Sequence, residues 1–250
     1  MYNQATQTAL TTSIPKLEKV TERYSFVSTA ELIKDIESQG FTLSKVAGPK
    51  RGAGYGKHCL QFTSNSLPAM PGRTMNLLAY NSHDGSSAFQ LRLGFLELVC
   101  SNGLVVGDAL YSQRIIHTGY TAEKVARALE AVLTSAPSLV ETVKSLQHTT
   151  PNPEQIYQFL VKARELRPNA RPFTLSDLAR VEHAEQEENT AWNVFNRVQA
   201  SLVRGGYYTL ESTETGTVPG RRAKALTGIK VLQHTNERLW NAASDIFLTR

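Results

Sequence analysis

Four side chains of this chain, His58, His83, Asp84 and His117, have the types needed to hold a metal or move a proton. Imidazole nitrogens with a carboxylate suit zinc or iron. None of the four stands in a short ligand motif such as HExxH, so only folding could bring them together; histidines bonded to backbone at strand ends are the commoner outcome. A nucleophile is no easier to find. Cys100 lies in a hydrophobic run before an Asn-Gly turn, where a thiol is usually a small buried hydrophobe. No GxSxG elbow occurs. Asp84, Glu97 and Asp108 are too irregularly spaced to read as a catalytic carboxylate pair. The sequence asks for no catalytic residue and no cofactor.

Cations interleaved with aromatics make a stronger pattern. From Lys45 to Arg92 there are six basic residues against one acid, and from Asn189 to Lys230 six against two, within a formal net charge of +5. An acidic knot of Glu182, Glu185, Glu187 and Glu188 lies between. Lys and Arg track phosphates while aromatic rings stack on unpaired bases, the combination used for sequence-tolerant single-strand binding. The candidates are Lys50, Arg51, Tyr55, Lys57, Arg73, Tyr80 and Arg92, with a second cluster of Arg221, Arg222 and Lys224 beside Arg204, Tyr207 and Tyr208. The competing account is an ordinary solvated face with structural tyrosines. Lys50 to Lys57, KRGAGYGK, is a glycine-rich basic loop without the Gly-Lys-Ser/Thr of a P-loop; it reads equally as a backbone-rich phosphate contact and as a solvated hairpin loop.

These residues must be positioned by an α+β fold, an antiparallel hairpin-rich sheet flanked by helices with a mostly helical C-terminal part. Residues 1–20 read as a polar, mobile arm, residues 21–135 as the sheet core, and residues 136–250 as a helical part packed on that core with a polar basic loop near 211–224. Ser28 and Glu31 have capping-box spacing for a helix to Gln39, with Gly40 past its end. A weak strand follows to Val46, then strand-like runs at Cys59–Thr63, Thr74–Tyr80, Ala88–Leu93, Leu96–Cys100, Leu104–Val106 and Tyr111–Thr118. Thr121 starts a helix that Pro137 ends or restarts, Asn152-Pro153 starts another, Thr174 to Arg204 reads as helix, and a last one spans Asn236 to Phe247. Trp192, Phe195, Leu202, Leu239 and Trp240 read as core. In the turn at Asn81–Ser87, Gly85 is expected at positive φ, Asp84 is expected to bond its own backbone, and His83 is expected exposed and functional. No run reaches the roughly 18 apolar residues of a membrane span. The first fifteen residues hold no Lys or Arg and no apolar core, so a cytoplasmic protein is expected, in the host cell if phage-encoded. Two cysteines are too few for a disulfide framework.

Longer strings carry a resemblance. NSHDGSSAFQLRLGFLELVCSNGLVVGD, RIIHTG, NTAWNVFNRVQASLVRGG, RRAKALTGI and NERLWNAA resemble the phage- and plasmid-borne family of uncharacterised proteins that includes YafZ, YfjQ and YubP. The match runs from about Arg23 to Ala243. The family pattern puts weight on His58, Asn81, Ser82, His83, Asp84, Gly85, Cys100, Asn102, Gly103 and His117, and on Trp192, Asn196, Gly205, Gly206, Arg221 and Trp240. One departure is Ala200, where the pattern has a Glu, so no role for that carboxylate carries over. The resemblance implies a mobile-element protein and no mechanism. A helix, an antiparallel hairpin sheet and a second helix is also the layout of single-strand annealing proteins, which assemble as homo-oligomers around DNA; this is an analogy of fold.

The reading is therefore a nucleic-acid-binding protein of a phage or plasmid, single-stranded DNA favoured, acting in recombination, annealing or DNA entry. The alternatives are an anti-defence or regulatory protein that binds a host protein, and a metal-dependent nucleic-acid enzyme using His58, His83, Asp84 and His117.

Overall fold

The computed structural model describes residues 4–13, 26–48, 54–70, 73–97, 112–115, 121–167, 175–179, 188–205, 208–213, 216–226 and 228–249. The chain divides into two compact units, residues 1–99 with 110–137, and residues 100–109 with 138–250. The fold is α+β.

The first unit begins with α1 (Gln4–Thr11) and α2 (Thr29–Glu37). Residues 4–11 are thus a helix rather than an arm: Thr6 and Ala9 are buried, and Gly48 leaves room for the Thr6 side chain where a Cβ would overlap it. Ser28 caps α2 by accepting from the Glu31 amide. Thr29, Leu32 and Ile36, three and four residues apart, form its buried stripe. Gly40 turns at φ +84° into β1 (Thr42–Ala47).

Beyond β1 come β2 (His58–Thr63), β3 (Ala69–Met70), β4 (Arg73–Asn81), β5 (Phe89–Glu97) and β6 (Ser112–Ile115). They form one antiparallel sheet in the order β1-β2-β4-β5-β6, with β3 on β4. The period of two gives each strand an inner and an outer set. Leu60 and Phe62, Leu77 and Ala79, and Phe89, Leu91 and Leu93 make the inner face and are buried. The opposite set is Cys59 and Gln61, Leu78 and Tyr80, and Gln90 and Arg92, of which Leu78, Tyr80 and Arg92 are buried as well. The two hydrophobic runs read at Ala88–Leu93 and Leu96–Cys100 are one strand as far as Glu97.

Helix α3 (Ala122–His148) continues through Pro137, where the sequence suggested a break. Proline removes one N–H and so one rung of the ladder. The apolar stripe is uninterrupted, with Val125, Leu129, Val132 and Ala136 followed by Leu139, Val143 and Leu146, all buried. The division between the two units falls immediately after Pro137.

In the second unit α4 (Pro153–Glu165) starts with a full capping box, Asn152 Oδ1 accepting from the Gln155 amide and Gln155 Oε1 accepting from the Asn152 amide. Asn152→Ala is expected to cost about 1 kcal/mol in stability, readable as a lower urea midpoint. The segment expected as one helix from Thr174 to Arg204 is instead α5 (Leu175–Leu178) and α6 (Ala191–Arg204). Thr190 interrupts it by capping α6, its hydroxyl accepting from the Asn193 amide; a helix interior would leave Thr without that bond. The expected polar loop near 211–224 is a hairpin, β7 (Tyr208–Thr213) on β8 (Gly216–Arg222), with Pro219 opposite Leu210 where the register shifts. Pro is tolerated there because a two-stranded ribbon has only edge strands. Helix α7 (Ile229–Leu248) starts earlier than its apolar stripe suggested, at Gly228, and buries Leu239, Trp240, Ala243 and Phe247. No helix among the described residues is long and apolar enough to cross a membrane.

Candidate functional site

The end of β4, the start of β2 and the start of α2 bring four polar side chains together under complete burial: Thr29, His58, Asn81 and His83 are each 0% exposed. His58 pairs with Asn81 in the sheet register, so both project to the inner face. The Thr29 hydroxyl lies 2.8 Å from His58 Nε2, 3.0 Å from His83 Nε2 and 3.3 Å from Asn81 Nδ2. Carbonyls fix the tautomers, since they only accept. His83 Nε2 is 2.8 Å from the Ala9 carbonyl and therefore carries a proton. His58 Nδ1 is 3.1 Å from the Gly56 carbonyl and carries one too, which leaves its Nε2 to accept from Thr29. Asn81 Nδ2 also donates to the Val27 carbonyl at 3.0 Å. Thr29 thus gives its one proton to His58 and accepts from Asn81 and His83. Burial first, and the neighbouring His83 ring second, lower the His58 pKa to about 4, against smaller opposing effects of the Gly56 bond and Asp84. The His58 ring is neutral at pH 7. Phe26 packs at 5.0 Å between ring centroids on His83, as His58 does.

His83 is therefore a packed residue and not the exposed turn residue expected. The rest of the turn follows its composition. Asp84 Oδ1 accepts from the Ser86 amide, Gly85 has φ +67°, and Ser82 closes the loop by donating to the Ser87 carbonyl and accepting from its amide. Among the described residues no group of three or more His, Cys, Asp or Glu is placed to hold a metal. The two histidines spend their Nε2 atoms on Thr29 and Ala9.

The outer face of the sheet gathers other candidates. Cys59, Tyr80, Gln90 and Arg114 stand in one row across β2, β4, β5 and β6, and Leu78, Arg92 and Ser112 in the next. Lys57 Nζ sits 4.8 Å from the Tyr80 ring centroid, and Arg92 Cζ lies 6.0 Å from it, so the ring is held by two cations. Gln90 Oε1 accepts from Arg92 at 3.0 Å. Gln61 donates to Asn76 Oδ1 at 3.1 Å. Tyr80 and Arg92 are each 5% exposed, whereas Tyr55 and Lys57 are half-buried and Lys45 is exposed. Among the described residues, no strand position of this face holds Asp or Glu. Arg73 falls out of the row and pairs with Glu97.

In the second unit Arg222 ends β8, and Arg222 and Lys224 are exposed; Arg221 is the strand residue before Arg222. Trp192 and Trp240 are fully buried core residues, and Asn196 donates to the Trp192 carbonyl within α6. Lys50, Arg51, Cys100, Asn102, Gly103, His117, Gly206 and Tyr207 lie outside the described residues. Sequence reasoning missed Thr29, which the whole histidine arrangement turns on, because a Thr at a helix start reads only as helix. It also missed Lys45, whose place in the row depends on a bulge between Leu43 and Lys45. Arg167 was missed as well: its guanidinium donates to the Leu202 carbonyl at 2.7 Å and to the Lys224 carbonyl, closing the end of α6.

A family model described as a domain of unknown function, DUF932, matches residues 16–240. The chain belongs to the DUF932 family. This DUF932 chain is 27% identical over 252 residues to the UPF0380 protein YfjQ of Escherichia coli (strain K12), covering 92% of this chain and 85% of that one. It is 28% identical over 247 residues to the UPF0380 protein YafZ of the same strain, covering 90% and 83%. No solved structure matches this DUF932 chain.

Proposed function

We propose that the protein binds nucleic acid, single-stranded DNA ahead of duplex, for recombination, annealing or DNA entry of a phage or plasmid. The observation that carries the reading is the sheet face opposite the apolar one, where the described strand positions hold the exposed Lys45 and no Asp or Glu, with the half-buried Lys57 beside Tyr80. A sheet face free of acids with amides and cations side by side attracts a phosphate backbone by charge. The roles differ from a simple stacking platform. Tyr80 is buried and taken up by Lys57 and Arg92, so its part is to hold Lys57 in place. Lys45 is the exposed phosphate contact and the half-buried Lys57 a second, with the half-buried Tyr55 as the stacking candidate. Arg222 and Lys224 supply a second, separate basic point in the other unit. The mobile-element setting comes from the family resemblance alone.

Fluorescence anisotropy with a labelled single-stranded oligonucleotide tests this. Binding is expected at about 50 mM salt and should weaken steeply as salt rises, through counterion release. Lys45→Ala with Lys57→Ala should flatten the log–log salt slope by about 1.4, roughly 0.7 for each phosphate of a single strand that is no longer neutralised. No binding at low salt, to single or double strands, overturns the proposal.

A further inference from the structure

We propose that Thr29, His58, Asn81 and His83 form a proton-sensitive latch that holds α1 and the first turn of α2 to the sheet and lets α1 go when the histidine pair takes up a proton. The proposal is independent of nucleic-acid binding. Its basis is that the hydrogen bonding of Thr29 is saturated. A hydroxyl has one proton and two lone pairs, and here His58 takes the proton, Asn81 donates to one lone pair, and the His83 Nε2 proton, shared with the Ala9 carbonyl, faces the other. A proton added at His58 Nε2 would point at an oxygen with no free lone pair, and the Thr29 proton would lose its acceptor. The result is a buried charge facing buried donors, which is among the costliest arrangements in a protein interior.

Among the described residues, the charged groups near His58 are few. From the turn after β4 come His83 and Asp84; the carboxylate opposes the burial of His58 but is the smaller effect. From the segment before β2 come Tyr55 and Lys57, both half-buried, and from α2 comes Glu31, which is exposed. From β4 comes Asn81, which is uncharged, and α1 (QATQTALT) has no titratable side chain. An eight-residue helix is too short to persist on its own. It is tied down by the buried Thr6 and Ala9 and by the His83–Ala9 bond.

The direction with pH follows from His58. Its folded value of about 4 lies below the ordinary 6.5, so the opened state binds the proton more readily. The latch is at full strength above about pH 6.5, weakens as pH falls from there to about 4, and changes no further below. Between pH 7 and pH 5 the opening equilibrium should shift by about 20-fold towards the open form.

Native-state hydrogen exchange across that range, corrected for intrinsic rates, reads this out. Amides of α1 and of the first turn of α2 should lose about 20-fold in protection relative to those of α4. His58→Gln, neutral throughout, should show no such loss. The same pH dependence in the variant, or an equal loss across β4 and β5, overturns the latch. Should His58→Gln fail to fold, the His58 ring resonances of the wild type decide: titration in step with the loss of α1 protection supports the latch, and titration near pH 6.5 with α1 protection unchanged overturns it.

Discussion

Trp240→Ala is expected to cost about 3–5 kcal/mol, the range for deleting a fully buried large aromatic side chain. Trp240 is 0% exposed and lies edge-on to Trp192, at 6.5 Å and 80°, and to Phe195, at 5.6 Å and 89°. Phe195 is 6.4 Å from Phe159, which is 4.9 Å from Phe247. A chain of aromatic contacts thus ties α4, α6 and α7 together, and each such pair adds about 0.5–1.5 kcal/mol beyond burial. Removing its middle leaves a void between three helices that are held by their own backbones and cannot easily collapse. The protein has two tryptophans, Trp192 and Trp240, both in the second unit. Urea unfolding followed by the fluorescence of the remaining Trp192 therefore reads that unit directly. A loss under about 1 kcal/mol would mean the rings are not closely packed, since core truncations that size are rarely so mild.

Gly205→Ala is expected to cost on the order of 3 kcal/mol for two reasons that act together. Gly205 ends α6 at φ +68° and ψ −138°, a region where a side chain is strained. A Cβ there would also lie 2.6 Å from the Ala223 carbonyl oxygen and 2.8 Å from that of Lys224, both backbone atoms. Those atoms have little freedom to give. The Leu226 amide donates to the Val203 carbonyl at 2.8 Å, and Arg167 holds Leu202 and Lys224. Gly216→Ala separates the two causes, because Gly216 has φ +133° but nothing within 4 Å of its Cβ position. It should show conformational strain alone, about 1 kcal/mol. Equal losses in the two variants would refute the close approach at Gly205.

Much of the fold was readable because its signals are local. The Ser28 and Asn152 caps, the Asp84–Gly85 turn and the buried stripes of α4 and α7 all lie within a few residues of what they determine. The misreadings share the opposite property. The sequence of α1 is polar and short, and its place depends on a bond from His83, 74 positions away. Thr190 and Thr29 are the same residue type in similar settings, yet one breaks a helix and the other anchors two histidines. Lys57, Tyr80 and Arg92 could be chosen by composition, but their mutual stacking depends on a strand register that sequence does not give. What made Tyr80 attractive as a free ring, cations nearby in sequence, is what occupies it in the fold. His58 and His83 have the right chemistry for a metal or a proton transfer and are instead joined through a hydroxyl, with contacts 29 and 54 positions apart.

The division of the chain also bears on how it emerges during synthesis. The first unit is not contiguous: it receives β6 and the first part of α3 only after residues 100–109, which belong to the second unit. A nascent chain that has just completed β5 therefore carries that strand's row of N–H and C=O groups without the partner that β6 provides. The same strand carries the apolar inner set of Phe89, Leu91 and Leu93 beside that open edge. Unpaired strand edges beside apolar surface are where growing chains associate wrongly. Fragments ending between residues 97 and 112 should accordingly aggregate, while those reaching past Pro137 should stay dispersed.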